Sequence, residues 1–162
     1  MADKMLNTNS LPEGYRLVSK LPNLGFDGQE LFVIVSENIL YLISKKPALI
    51  PDMADEPGFD VYQSEYPLSS VSWFVDVVEN SIWRSSAEGG LPAGKYHVVD
   101  RFGGEELKVS RDMNCGARYQ KGISWKNLSR KPTGSTFGYQ EKQLTDQVLR
   151  EGGLLNILRS IS

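Results

Sequence analysis

The stretch Leu31–Lys46, LFVIVSENILYLISKK, constrains this chain more than any other. Two five-residue apolar runs, Leu31–Val35 and Ile39–Ile43, flank the polar break Ser36-Glu37-Asn38. The runs are rich in β-branched and aromatic residues, and Asn38 tolerates the left-handed backbone of a tight turn, so the stretch reads as a β-hairpin. Successive side chains of a strand point to opposite faces. Both runs are apolar at every position, so both faces of the hairpin need a cover.

The remaining chain supplies further strands. Tyr15–Leu21 fits a first short strand, followed by a turn punctuated by Pro22, Gly25 and Gly28. Pro47–Asp60 holds three prolines and four acids and reads as an exposed loop. Tyr66–Asn80 reads as a strand, with Val71, Trp73, Val75 and Val77 on a core face and Phe74 and Val78 on a mixed face. Lys95–Arg111 is the clearest hairpin, because Gly103-Gly104 separates two alternating runs. Segment 113–140 is glycine-rich loop with one further strand near 122–130. Segment 141–161 reads as a helix, with Leu144, Val148, Leu155 and Leu158 on one face and Gly152-Gly153 weakening its middle. No internal repeat is visible. The expected organisation is a flexible N-terminus over 1–10 and one domain over 11–162, with long loops near 47–60 and 113–140 and a helix near 141–161.

The expected fold is therefore mainly β with some helix (α+β), antiparallel, in a curled sheet or barrel with a C-terminal helix. A chain of 162 residues buries roughly 70% of its unfolded surface and needs neither disulfide nor metal to hold a core. The single cysteine, Cys115, forms no intrachain disulfide. The N-terminus lacks the apolar run of a secretory signal, and the longest apolar stretch falls short of the about 20 residues of a membrane helix. A cytoplasmic location is the expectation.

Three phrases carry a resemblance to the bacterial pleckstrin-homology-like barrels. LFVIVSENILYLISKK resembles their apolar hairpin, YPLSSVSWFVDV resembles the phrase opening their next strand, and VVDRFGGEELKVS resembles the later glycine-containing hairpin before the terminal helix. The resemblance covers roughly residues 30–110 and the helix at 141–161. The long acidic loop at 47–60 and the insertion at 113–140 depart from it. It implies a scaffold that binds protein, peptide or lipid headgroup, and some members assemble into rings.

Charge is unevenly spread. Residues 1–100 carry 7 basic and 14 acidic residues, whereas 101–162 carry 11 basic and 6 acidic. Met113–Gln140 contains no acid. Arg118, Lys121, Lys126, Arg130 and Lys131 there, interleaved with Tyr119 and Trp125, form a candidate anion-binding set, because cations attract phosphate and aromatic faces stack bases or rest at a membrane interface.

Catalytic signals are weak. His97 stands in a strand with no adjacent motif, and no G-x-S-x-G elbow exists to supply a nucleophile for it. Cys115 has Arg111 and Arg118 nearby in sequence, but a catalytic cysteine needs a base within reach. Asp52, Asp55, Glu56 and Asp60 lack calcium-loop spacing, one Cys and one His cannot complete a zinc site, and no phosphate-loop motif occurs. The expectation is no metal, no cofactor and no catalysis. The preferred role is protein association, including self-association through Phe32, Ile34, Leu40, Leu42, Phe74 and Val78. Phospholipid or nucleic-acid binding through 113–131, with Trp125 as the stacking ring, is the first alternative. An inhibitor or immunity-type protein and a small hydrolase using Cys115 or His97 are the others.

Overall fold

A computed structural model describes residues 5–162 of the chain. Of the expected flexible stretch 1–10, residues 1–4 lie outside the described residues. The chain is α+β and almost wholly antiparallel, with two four-stranded sheets. The first takes β1 (Arg16–Pro22), β2 (Glu30–Val35), β3 (Ile39–Pro47) and β4 (Phe59–Pro67) in that spatial order. Helix α1 (Val71–Asp76) follows and runs on into a wider π turn, Val77–Ile82. The second sheet takes β5 (His97–Phe102), β6 (Glu105–Asp112), β7 (Gly122–Asn127) and β8 (Gln140–Thr145), again in order. Helices α2 (Asp146–Arg150) and α3 (Leu154–Ile161) end the chain. The strands do not close into a barrel. The same order, four strands and then helix, occurs twice.

The opening hairpin forms as β2 and β3, and alternation splits its side chains between two cores. Leu31, Val33, Leu40 and Leu42 join the main core with Leu107, Val109, Ile123 and Trp125 of the second sheet. Phe32, Ile34, Tyr41 and Ile43 join a smaller core with Val61, covered by Met5, Leu6, Leu11 and Tyr15. The Leu6 N–H also donates to Gln63 Oε1 at 2.8 Å. The N-terminal segment is thus the second cover that the hairpin requires.

This corrects the proposed interface. Ile34, Leu40, Leu42, Phe74 and Val78 are fully buried within the chain, and Phe32 is nearly so. None of the six presents a free apolar surface to a second copy.

Two elements differ from the sequence reading. Residues 71–78 form helix, not strand, because Val71, Phe74, Val75 and Val78 recur at helical spacing and all four are buried. That stripe accounts for Phe74 and Val78, which an alternating pattern left facing solvent. Residues 140–145 form strand, not helix. Thr145 then caps α2, its Oγ1 accepting the Val148 N–H at 3.0 Å. Gly153, at φ 81°, takes the left-handed conformation that separates α2 from α3.

At the centre, Trp125 lies between Tyr66 and Phe74, with ring centroids 3.8 and 3.9 Å apart and near-parallel planes. This stack joins β4, β7 and α1 into one core.

Candidate functional site

Strands β4 and β8 bring the two sheets together. Ser64 Oγ donates to the Glu141 carbonyl at 2.9 Å, and the Glu65 N–H donates to Gln140 Oε1 at 2.7 Å. Tyr66 Oη donates to the Trp125 carbonyl at 2.7 Å. Lys142 Nζ, on the inner face of β8, donates to Ser44 Oγ and to the Tyr62 carbonyl, both at 2.9 Å.

Two cavities of about 250 and 240 Å³ lie along this seam and share Tyr62 and Glu141 as walls. The first is lined by Asn23, Phe26, Gln29, Ser44, Lys46 and Lys142, among others. The second reaches Met5, Pro132, Thr133 and Tyr139. Together they make a trough with exposed rings. Tyr62 is 48% exposed and Tyr139 41%, and Phe137 beyond them is 82% exposed. Lys46 Nζ sits 5.4 Å from the Tyr62 ring centroid, and Lys126 Nζ sits 5.4 Å from that of Tyr139. An exposed cation–π contact of this kind is worth about 0.5–1 kcal/mol, so each ammonium is held only weakly over its ring.

The acid-free segment 113–140 meets the seam at two places, separated by β7. Its first arm is fastened to the β1–β2 turn: Gln120 Nε2 donates to the Gly25 carbonyl at 2.9 Å, and Gly116 lies against the Phe26 ring so closely that a Cβ there would come within 2.6 Å of it. This arm carries Arg118, Tyr119 and Lys121, all exposed. Arg118 stacks 4.8 Å over the Tyr119 ring. The second arm carries exposed Lys131 and leads into Phe137 and Tyr139.

Two of the predicted anion-binding residues are corrected. Trp125 is fully buried in the aromatic stack and reaches no surface. Arg130 is a structural clamp. Its guanidinium pairs with Glu65 of β4 and, at 2.5 Å, with Glu105 of β6, so its charge is already matched. Burial pushes the Glu105 carboxyl up, but the hydrogen bonds from Arg130 and Asn127, together with the Arg130 charge, outweigh it and leave the group below its ordinary range. Arg118, Lys121, Lys126 and Lys131 remain on the surface. Tyr62, Tyr139, Lys46, Asn23 and Lys142 were missed. For Lys142 a signal existed, since it alternates with Gln140 and Leu144 on the buried face of β8, but only if that segment is read as a strand.

The suspected catalytic residues lie apart from the trough. His97 is exposed on the edge strand β5. Cys115 is buried, and burial pushes its thiol up to about 12, which suppresses the thiolate. In the acidic loop, the Asp55 carboxylate accepts the Val61 N–H and Glu56 pairs with Lys45. Among the described residues, no helix is long and apolar enough to cross a membrane.

No protein-family model and no curated protein matches the chain. Among solved structures, that of MRP1/MRP2 from Trypanosoma bruciei is similar to it over 94% of both chains, at 13% identity and a TM-score of 0.43. The likeness is too distant to carry a role across.

Proposed function

We propose that the chain binds single-stranded nucleic acid along the seam between its two sheets. The observation that carries this reading is the pairing of an exposed ring with a lysine at two points on one trough, Tyr62 with Lys46 and Tyr139 with Lys126. Strand-binding surfaces combine such features, because rings stack any base and ammonium groups follow the phosphates. Arg118, Tyr119 and Lys121 extend the same chemistry from the first arm of 113–140. A duplex stacks its bases internally and leaves isolated rings nothing to stack on, so an unpaired strand fits better.

Fluorescence anisotropy with a labelled single-stranded oligonucleotide tests this. Binding is expected at low salt and weakens as salt rises, through counterion release. Tyr62→Ala and Tyr139→Ala each weaken it roughly 5- to 150-fold, from about 1–3 kcal/mol of stacking per base. Absence of binding at low salt, or full affinity in both tyrosine variants, overturns the reading. Binding to anionic vesicles without binding to oligonucleotides points instead to a membrane surface.

A further inference from the structure

The other well-buried cations of the fold have acids of their own: Lys45 has Glu56, Arg111 has Asp146, and Arg130 has Glu65 and Glu105. Lys142 differs. It is 4% exposed, and its ammonium donates to two neutral oxygens, those of Ser44 and Tyr62. An ammonium has three donors. Among the described residues no carboxylate pairs with it. Glu141 borders the same cavity but pairs elsewhere: it alternates with Lys142 along β8, and its carboxylate accepts from Ser124 Oγ at 2.5 Å.

A second group in the same cavity is also incomplete. Asn23 is 3% exposed, its Nδ2 donates to Gln29 Oε1 at 3.2 Å, and its Oδ1 is buried with no partner. The two linked amides are interchangeable in sense. Turning both over keeps their mutual bond, with Gln29 now donating, and puts the Asn23 NH₂ where the unpartnered oxygen stood. That orientation replaces a stranded acceptor with a donor on a residue that lines the cavity.

We infer that this cavity, between the β1–β2 turn, β3 and β8, is a site for a phosphate group, with Lys142 and Lys46 supplying charge and the Asn23–Gln29 pair supplying a neutral donor. Two ammonium groups match a dianion better than a singly charged carboxylate. The phosphate is either free or the terminal monoester of a nucleic-acid strand, and only the second source rests on the strand-binding reading above. A phosphodiester inside a strand carries one charge and must lead out of the cavity on both sides, so it fits less well.

Binding is coupled to a proton. Burial brings Lys142 down to about 7, so at about pH 8 most of the amine is neutral. The charged groups sharing the cavity are Lys46 and Glu141, and Tyr62 forms part of its wall. An anion against Lys142 favours the ammonium and draws in close to one proton.

The test uses the full chain and isothermal titration calorimetry, with sulfate as a dianion that does not titrate and inorganic phosphate beside it. Titrations at about pH 8 in two buffers of different ionisation enthalpy count the protons. Both anions are expected to bind with uptake approaching one proton, and acetate roughly tenfold more weakly. Lys142→Met, checked for folding by circular dichroism, loses the uptake and at least roughly tenfold in affinity. If that variant fails to fold, Lys46→Gln carries the affinity test and the parent chain carries the proton count. No binding of either anion, binding without proton uptake, or unchanged affinity in folded Lys142→Met overturns the site. A 5′-phosphorylated oligonucleotide binding more tightly than its hydroxyl-ended form, with the difference lost in Lys142→Met, assigns the strand end. Equal binding of the two forms, alongside binding of inorganic phosphate, assigns free phosphate. Oligonucleotides that fail to bind while phosphate binds overturn the strand reading and leave the site standing.

Discussion

Lys142 makes the stability of the fold depend on pH in an unusual direction. Its ordinary value of 10.5 falls to about 7 in the folded chain, because burial disfavours the ammonium. Between those values the unfolded chain holds a proton that the folded chain has released, so stability rises with pH. Below about 7 both states hold the proton and the contribution is flat. At about 1.4 kcal/mol for each tenfold change in proton affinity, the buried amine costs the fold about 4 kcal/mol at pH 7. That cost shrinks by about 2 kcal/mol between pH 7 and 9. The window ends there because Cys115, raised from 9.0 to about 12, and Tyr41, raised from 10.0 to about 12, oppose the trend at higher pH. Urea denaturation at pH 7, 8 and 9 is the assay, and 2 kcal/mol moves the midpoint by roughly 1 M. Lys142→Met removes the desolvation cost but forfeits two hydrogen bonds worth about 1 kcal/mol each. It is therefore expected to be about 2 kcal/mol more stable at pH 7, with Tm higher by about 4–8 °C, and to lose the rise toward pH 9. A wild-type midpoint that stays flat or falls across the window refutes the reasoning, as does a variant that keeps the rise. A variant less stable at pH 7 would show that the bonds to Ser44 and Tyr62 hold the sheets together more strongly than burial of the amine opposes them.

Two further outcomes follow from how the sheets are held and covered. Arg130→Met leaves the Glu65 and Glu105 carboxylates without their cation, which is expected to cost about 3–5 kcal/mol in denaturation at neutral pH, with the loss shrinking on acidification as the carboxylates protonate. A variant as stable as the parent would show that solvent reaches the clamp. Deleting residues 1–12 uncovers Phe32, Ile34, Tyr41, Ile43 and Val61, so light scattering is expected to show a larger average mass than that of the full chain at the same concentration. A monomeric truncated chain would mean that the smaller core has another cover.

The hairpins were legible because their signals are local. Two β-branched runs across a polar break mark β2 and β3, and paired glycines mark the turn between β5 and β6. The requirement for two covers was also correctly read from the apolar faces of the first hairpin. The sequence reading placed the second cover outside the chain because Met5, Leu6 and Leu11 lie in a polar stretch too sparse to suggest packing. The misreading of residues 71–78 has a clear cause. In VSWFVDVV, residues 71, 73, 75 and 77 satisfy the period of a strand and residues 71, 74, 75 and 78 that of a helix. Over eight residues both fit, and packing against α3 and the second sheet decides. The repeated order of four strands and helix left no mark in the sequence, since layer order is kept by hydrophobic pattern and not by residue identity.

The trough was legible only in part, for a different reason. Segment 113–140 announced itself by lacking acids, and it does border the site. Yet Tyr62 comes from β4, Lys46 from β3, Lys126 from β7 and Lys142 from β8, and nothing in a linear reading brings those four together. Segment composition also misassigned Trp125 and Arg130, because a cation or a ring in a basic stretch looks free until its partner is known. For Trp125 the partners are two rings contributed by β4 and α1; for Arg130 they are two acids on β4 and β6. The same pairing logic singles out Lys142. In a fold that has matched its other well-buried cations with acids, an ammonium given only neutral oxygens is where an anion from outside fits.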